Sequence, residues 1–118
     1  MGLILWIDQN TFAGTLVEKV FKKKDLPFYG LSKVDDFAYL VEDLTPEVIV
    51  LDVETALSNL EAFKNQYEAS EALKKTPFIL IGADESLNFI QRKIGELQRP
   101  IEPFEIPQKI STILNKLS

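Results

Sequence analysis

The segment Pro46–Asp52 reads PEVIVLD and is the most informative stretch of the chain. Its four central residues form an unbroken apolar run, three of them β-branched, which is typical of a strand buried on both faces. The run stops at an acid, Asp52. Two other runs follow the same pattern: Leu3–Ile7 stops at Asp8, and Phe78–Ile81 stops at a glycine. These three segments predict buried parallel strands.

Segments with helical periodicity separate the strands. Apolar residues recur every three or four positions in five segments, which are Phe12–Phe21, Val34–Leu44, Leu57–Leu73, Leu87–Ile94 and Phe104–Leu117. Two shorter strands are predicted over Pro27–Leu31 and around Leu97. Five strands alternating with five helices indicate an α/β fold, with a doubly wound parallel sheet and helices on both faces. We expect residues 1–118 to form a single domain of this kind.

Composition excludes several kinds of chemistry. The 118 residues include no cysteine and no histidine, so thiol nucleophiles, thiolate metal sites and imidazole general bases are absent. The formal charge of −5 argues against a nucleic-acid partner. The apolar run Leu3–Ile7 is far shorter than the roughly 20 residues that span a bilayer, and no signal-peptide pattern surrounds it. We therefore expect a cytoplasmic protein with no membrane partner.

The ends of the predicted strands carry the candidate site. In doubly wound sheets the functional crevice lies beyond the carboxyl ends of the strands, which selects Asp8, Asp52, Gly82 and Arg99. Neither a dinucleotide-binding glycine motif nor a P-loop follows the first strand. Two carboxylates about 4 Å apart repel by roughly 4 kcal/mol at an effective dielectric near 20, so a cation or a shifted pKa must accompany them. Mg²⁺ suits these oxygens, and an arginine could engage a phosphoryl group.

Four segments resemble the receiver domain of bacterial two-component response regulators, a CheY-like, flavodoxin-like fold. They are the opening strand Ile4–Asn10, the phosphoacceptor strand Pro46–Asp52, the strand Pro77–Ala83, and Arg99–Ile106 in the place of the Lys-Pro segment before the last helix. They are spread along the chain in the family's order, and the resemblance covers essentially the whole chain. The resemblance implies a signal-transduction domain rather than an enzyme, with at most Mg²⁺-dependent self-phosphorylation and dephosphorylation.

The resemblance also implies roles for individual residues. Asp52 takes the phosphoacceptor position, and Mg²⁺ would be held by Asp8, Asp52 and the backbone carbonyl of Glu54. Gln9 stands where the family has a second acid, so it contributes weakly and the Mg²⁺ site is expected to be weakened. The Glu54 side chain could replace the missing acid.

Three further positions depart from the family pattern. Gly82 stands in place of the Thr or Ser that contacts the phosphoryl group, and Arg99 stands in place of the lysine. Glu96 falls at the position of the aromatic switch residue. Arg99 could pair with a transferred phosphoryl group or bridge Asp52 as a fixed ion pair.

Three functions remain open on these residues. The favoured hypothesis is an atypical or pseudo-receiver that keeps the fold and acts through protein contacts without phosphorylation. The alternative is a conventional phosphoacceptor in a phosphorelay, modified at Asp52 by a histidine kinase. A minor alternative is a small-molecule-binding domain on a flavodoxin-like sheet. The implied partners are proteins: a histidine kinase or phosphotransfer protein, an output domain or effector, and a second copy bound through the face of the fourth helix, fifth strand and last helix.

Overall fold

The computed structural model describes residues 1–117 and contains one sheet of five parallel strands. The strands are β1 (Ile4–Ile7), β2 (Phe28–Leu31), β3 (Val48–Asp52), β4 (Phe78–Ile81) and β5 (Lys93–Leu97). Their order across the sheet is β2-β1-β3-β4-β5. The predicted five-stranded parallel sheet is confirmed. Every residue of β1, β3 and β4 is buried, which explains why these three strands are uninterrupted apolar runs.

Helices cover both faces of the sheet, as predicted. They are α1 (Thr11–Lys23), α2 (Phe37–Leu44), α3 (Val53–Leu57), α4 (Leu60–Ala69), α5 (Glu71–Lys75) and α6 (Ile106–Asn115). On one face, α1 and α6 pack against Ile4, Trp6 and Val50. On the other face, α2 to α5 pack around Phe63, whose ring lies 5.2 Å from that of Phe37 and 6.4 Å from that of Phe78.

The predicted third helix is divided into α3, α4 and α5. Its first break lies at Ser58 and Asn59, between α3 and α4. Ser70 makes the second break, because its backbone is extended and its side chain accepts a hydrogen bond from the backbone N–H of Leu73 as the N-cap of α5. The apolar periodicity from Leu57 to Leu73 correctly predicted which side chains are buried. It did not reveal where polar residues end one helix and begin the next.

The predicted fourth helix is wrong. Only a single 3-10 turn, Glu85–Leu87, forms after β4, with Asp84 capping it through the N–H of Ser86. This bond is the main reason that the pKa of Asp84 lies below its ordinary value. Leu87 and Ile90 are buried, as a helix would have placed them, but Ile94 belongs to β5. The spacing of three and four residues between Leu87, Ile90 and Ile94 is therefore also compatible with a turn followed by a strand.

This difference changes the surface around β5. The face predicted for a second copy required a fourth helix beside β5, and residues 82–92 supply only the 3-10 turn there. The expected face of fourth helix, fifth strand and last helix is thus formed here by a 3-10 turn, β5 and α6, and the homodimer remains a prediction. A second 3-10 turn, Pro103–Glu105, leads into α6, with Pro107 in the first turn of that helix. No helix within residues 1–117 is long and apolar enough to cross a membrane.

Candidate functional site

The two acids expected to share a site come together at the carboxyl edge of the sheet. β1 and β3 are neighbours in register, with Ile7 beside Leu51, so Asp8 and Asp52 follow at adjacent positions. Only 2% of the Asp8 surface and 3% of the Asp52 surface remain exposed. Two carboxylates this deeply buried require a compensating positive charge.

Arg99 supplies that charge from the segment after β5. Its Nη2 lies 2.9 Å from each carboxylate oxygen of Asp8 and 3.1 Å from Oδ1 of Asp52. We call this arrangement of three side chains the arginine clamp. Burial opposes the charge on Arg99, but the hydrogen bonds and charges of the two acids outweigh burial and raise its pKa above the ordinary value. Of the two roles open to Arg99 from the sequence, the structure places it as a bridge between the acids.

The second oxygen of Asp52 is used within α3, which begins at the next residue. Oδ2 accepts hydrogen bonds from the backbone N–H of Thr55 at 3.0 Å and from the Thr55 hydroxyl at 2.8 Å. Asp52 is therefore the N-cap of α3. The same hydroxyl accepts a bond from the backbone N–H of Gln9 at 2.8 Å and so joins the turn after β1 to that after β3.

Thr55 was missed in the sequence, although a signal was present. An acid followed three residues later by a hydrogen-bonding residue is the spacing of an N-cap. The helix was predicted to begin only at Leu57, which left Thr55 outside it. Thr55 is buried, and its hydroxyl has one donor and one acceptor partner. Thr55 thus fixes the geometry of the site without being one of the three residues of the arginine clamp.

Thr55→Val should destabilise the domain by about 1 to 2 kcal/mol. Valine keeps the shape of threonine but leaves the backbone N–H of Gln9 without its protein acceptor and removes one donor from the buried Asp52. Urea unfolding followed by circular dichroism would measure the change. Thr112→Val on the exposed side of α6 is the matched control, with an expected change below about 0.5 kcal/mol. Equal stability of the Thr55 variant and the wild type would contradict the structural role of this hydroxyl.

The remaining expected metal ligands are engaged elsewhere. The Gln9 side-chain carbonyl accepts a hydrogen bond from the Ser58 hydroxyl at 3.2 Å. The backbone carbonyl of Glu54 lies inside α3, where it accepts bonds from the backbone N–H of Ser58 at 3.0 Å and from the Ser58 hydroxyl at 2.8 Å. The structure therefore brings Asp8, Asp52 and Arg99 together, and Glu54 lines the same cleft as Asp52 and Arg99 while its carbonyl is hydrogen-bonded within α3.

These residues do not fit the Mg²⁺ ion that the resemblance implies. Every carboxylate oxygen of Asp8 and Asp52 already accepts a hydrogen bond from a protein donor. Within residues 1–117, no group of three or more acidic, histidine or cysteine side chains is placed to hold a metal ion. Mg²⁺ requires six oxygen ligands in near-octahedral geometry, whereas the guanidinium of Arg99 presents donors.

Gly82 lies beside the arginine clamp at the end of β4. Its backbone N–H donates to the carbonyl of Leu97 at 2.9 Å, and its φ of +95° is a conformation that favours glycine. A cleft of about 300 Å³ opens here, lined by Asp52, Gly82, Ala83, Arg99 and neighbouring residues. The position that the resemblance assigns to the family's hydroxyl residue thus lies in the same cleft as Asp52 and Arg99, but its backbone conformation does not suit a residue with a side chain.

Glu96 occupies β5 and is exposed. Its carboxylate forms an ion pair with Lys93 three residues earlier on the same strand. In the family the corresponding position is aromatic. Here the position carries a charged side chain that is fixed on the surface of an edge strand.

Comparisons with solved structures agree on the architecture. A response regulator from Desulfuromonas acetoxidans has a TM-score of 0.78 at 13% identity, with 100% of each chain covered. The chemotaxis response regulator CheY4 of Vibrio cholerae has a TM-score of 0.75 at 13% identity, covering 96% of this chain and 98% of that one. No protein-family model matches the sequence, and no curated protein matches it.

A third solved structure bears on the metal. The receiver domain of a sensor histidine kinase from Pseudomonas aeruginosa, with a magnesium ion coordinated in its active-site cleft, has a TM-score of 0.72 at 14% identity. That comparison covers 97% of this chain and 98% of the other. At these identities the likeness concerns the fold alone. Residues 1–117 thus adopt the CheY-like fold of response-regulator receiver domains.

Proposed function

We propose that this chain is a signalling domain of the receiver type that acts through protein contacts without being phosphorylated. The observation that carries the proposal is the arginine clamp, in which Arg99 takes the place between Asp8 and Asp52 that a cation would need. The clamp neutralises the two acids from within the chain. The domain therefore has no electrostatic need for an exogenous ion.

The clamp also opposes phosphoryl transfer to Asp52. Transfer requires an oxygen of Asp52 with a free lone pair, aligned with the phosphoryl donor, and a cation that stabilises the transferring group. Oδ1 of Asp52 is held by Arg99 at 3.1 Å, and Oδ2 is held by Thr55 at 2.8 Å and 3.0 Å. Oδ2 therefore has both lone pairs engaged by Thr55, and Oδ1 keeps one lone pair but lies against Arg99, which also holds Asp8 and so leaves no free cation for the transferring group.

Gly82 supports the same conclusion from another element. A hydroxyl at this position could donate a hydrogen bond to a phosphoryl group, and glycine has none to offer. The surface instead displays large apolar side chains that suit a protein partner, because Phe12 at the start of α1 and Phe104 before α6 are both exposed. We propose a protein partner of the signalling type, such as a kinase, phosphotransfer protein or output domain.

Intact-mass measurement after incubation with acetyl phosphate and Mg²⁺ tests the proposal. We expect no added phosphoryl mass on the wild-type chain, because the nucleophile and the cation position are both engaged by protein groups. Asp52→Ala serves as the control for modification at other sites, and a conventional receiver domain serves as the positive control. A phosphoryl mass on the wild type that is absent from Asp52→Ala would instead identify a working phosphoacceptor.

A further inference from the structure

A surface groove lies between α1 and the 3-10 turn Pro103–Glu105, which packs against that helix. Its volume is about 630 Å³, within the range of roughly 300 to 1,000 Å³ that is typical of ligand-binding clefts. We call it the α1 groove, and its apolar lining residues are Leu16, Val20, Pro103 and Phe104. It shares no lining residue with the cleft beside the arginine clamp.

Phe104 is the most exposed apolar residue of the α1 groove. The ring belongs to a side chain that is 78% exposed. Phe12 lies one turn before Leu16 on the same face of α1 and is 75% exposed. Large apolar side chains that a folded chain leaves in water mark interaction surfaces when polar residues surround them. The α1 groove is therefore an apolar surface that residues 1–117 leave partly uncovered.

Three lysines surround this apolar surface. Lys19, Lys22 and Lys23 line the groove and are exposed, and none of them forms an ion pair with another of residues 1–117. Within the same residues, Glu102 is the one acid that lines the groove. The groove thus carries an excess of positive charge, although the formal charge of the chain is −5.

Neighbouring acids do not cancel this positive charge. The carboxylate of Glu105 is paired with the ammonium of Lys109 at 3.3 Å. Glu18, the one acid of α1, lines the clefts beside β2 instead of the groove. The dipole of α1 favours the two lysines in its last turn, but it does not account for Lys19, which lines the groove outside that turn.

We propose that the α1 groove binds an acidic segment of a partner protein, which inserts a large apolar side chain next to Phe104. The carboxylates of the segment pair with the lysines, and its apolar side chain removes Phe104 and Leu16 from water. A nucleic acid offers negative charge but no apolar side chain, and a flat lipid surface does not fill a groove. This inference rests on the proposed function, in which the chain acts through protein contacts, and adds the chemistry of the partner.

The fluorescence anisotropy of a fluorescein-labelled peptide of sequence EDELFDEE tests this proposal. We expect a saturable rise in anisotropy when the wild-type chain is added in the absence of Mg²⁺ and of any phosphoryl donor. A second peptide, EDEAADEE, carries the same charge without the apolar anchor. We expect it to bind about tenfold more weakly, because its two alanines bury far less apolar surface.

A pair of aromatic variants locates the apolar contact. Phe104→Ala removes an exposed ring that belongs to neither hydrophobic core, so the variant should fold and bind the first peptide about tenfold more weakly. Tyr39→Ala is the matched control. The Tyr39 side chain is also 78% exposed, but it lies on α2 and does not line the groove, so its removal should leave binding unchanged.

A pair of charge variants locates the ionic contact. Lys19→Gln combined with Lys23→Gln should weaken binding of the first peptide about tenfold, because it removes two cations from the groove. Lys33→Gln combined with Lys116→Gln removes the same net charge at exposed lysines outside the groove. This control should change binding by less than about twofold, since exposed charges more than a Debye length away are screened.

Several results would overturn the proposal. They are an anisotropy that does not saturate, equal binding of the two peptides, and unchanged binding by Phe104→Ala or by the double lysine variant of the groove. Sedimentation of the wild type, but not of Phe104→Ala, with vesicles of phosphatidylcholine and phosphatidylserine would identify a membrane surface in place of a protein site. Because the binding assay contains no phosphoryl donor, it is independent of the intact-mass measurement on Asp52, and the two proposals can fail separately.

Discussion

Arg99→Ala should destabilise the domain by about 2 to 4 kcal/mol at neutral pH. Removing one partner of a buried ion pair leaves an uncompensated charge, which typically costs about 3 to 5 kcal/mol, and here two carboxylates are left beside each other. Because the Arg99 side chain is 37% exposed, water screens part of the interaction, so the expected loss lies below the cost for a fully buried pair. Urea unfolding at constant ionic strength would measure the difference.

The same variant should also become sensitive to Mg²⁺. Without the guanidinium, Asp8 and Asp52 present free oxygens to a cation, and any ion that binds the folded state stabilises it by mass action. Urea unfolding curves would be recorded in MgCl₂ and in NaCl of equal ionic strength. For Arg99→Ala we expect the curve in MgCl₂ to lie at higher urea than that in NaCl, and for the wild type we expect the two curves to coincide. Arg92→Ala, at the chain's other arginine, is the matched control, because the Arg92 side chain hydrogen-bonds the Lys75 carbonyl and forms no ion pair among the described residues. An equally large Mg²⁺ effect on the wild type would show that the clamp opens readily to a metal.

Gly82→Thr should cost about 2 to 3 kcal/mol, although there is room for the new side chain. A Cβ at position 82 would meet Val53 at 3.7 Å, which is an ordinary contact. The cost arises from the backbone, because a β-branched residue at a φ of +95° is strained by a few kcal/mol. The hydroxyl that the receiver family uses is thus excluded by conformation rather than by volume.

Thermal and urea unfolding of a three-variant set would isolate that strain. Gly82→Ala should lose about 1 to 2 kcal/mol, since it pays for the positive φ without β-branching. Ala83→Thr adds the same hydroxyl at the next, exposed position and should change stability by less than about 0.5 kcal/mol. If Gly82→Thr were as stable as Ala83→Thr, the β4 end would have to relax into an ordinary conformation.

The sequence predicted the framework of the site because it depends on the strands. Uninterrupted apolar runs that end at Asp8 and Asp52 can be read without knowing any contact, and parallel strands necessarily bring their ends to one edge. The need for a positive charge beside the two acids also followed from Coulomb's law. Arg99 was recognised as one candidate source, and the structure places its guanidinium between them.

The sequence did not predict the 3-10 turn after β4 or the role of Thr55. Both depend on local side-chain to backbone hydrogen bonds, which the apolar periodicity does not reveal. Leu87, Ile90 and Ile94 have helical spacing, but the Asp84 side chain caps a 3-10 turn, and Ile94 pairs within β5 instead of continuing a helix. Thr55 escaped notice for a related reason. Its hydroxyl matters only because α3 begins directly after Asp52, which brings the turn after β1 within hydrogen-bond distance.

Because Asp52 is the N-cap of α3, it links two equilibria: formation of the first turn of that helix and covalent modification of the Asp52 carboxylate. Converting Oδ1 to an ester or acyl phosphate would remove the negative charge from the carboxylate and weaken the bonds that Oδ2 accepts from Thr55. Loss of an N-cap costs about 1 kcal/mol, equivalent to roughly a fivefold change in an equilibrium constant. By thermodynamic reciprocity, each substitution that strengthens the start of α3 lowers the equilibrium extent of modification at Asp52 by the same factor. The first turn of a five-residue helix would therefore limit how far this carboxylate can be modified at equilibrium.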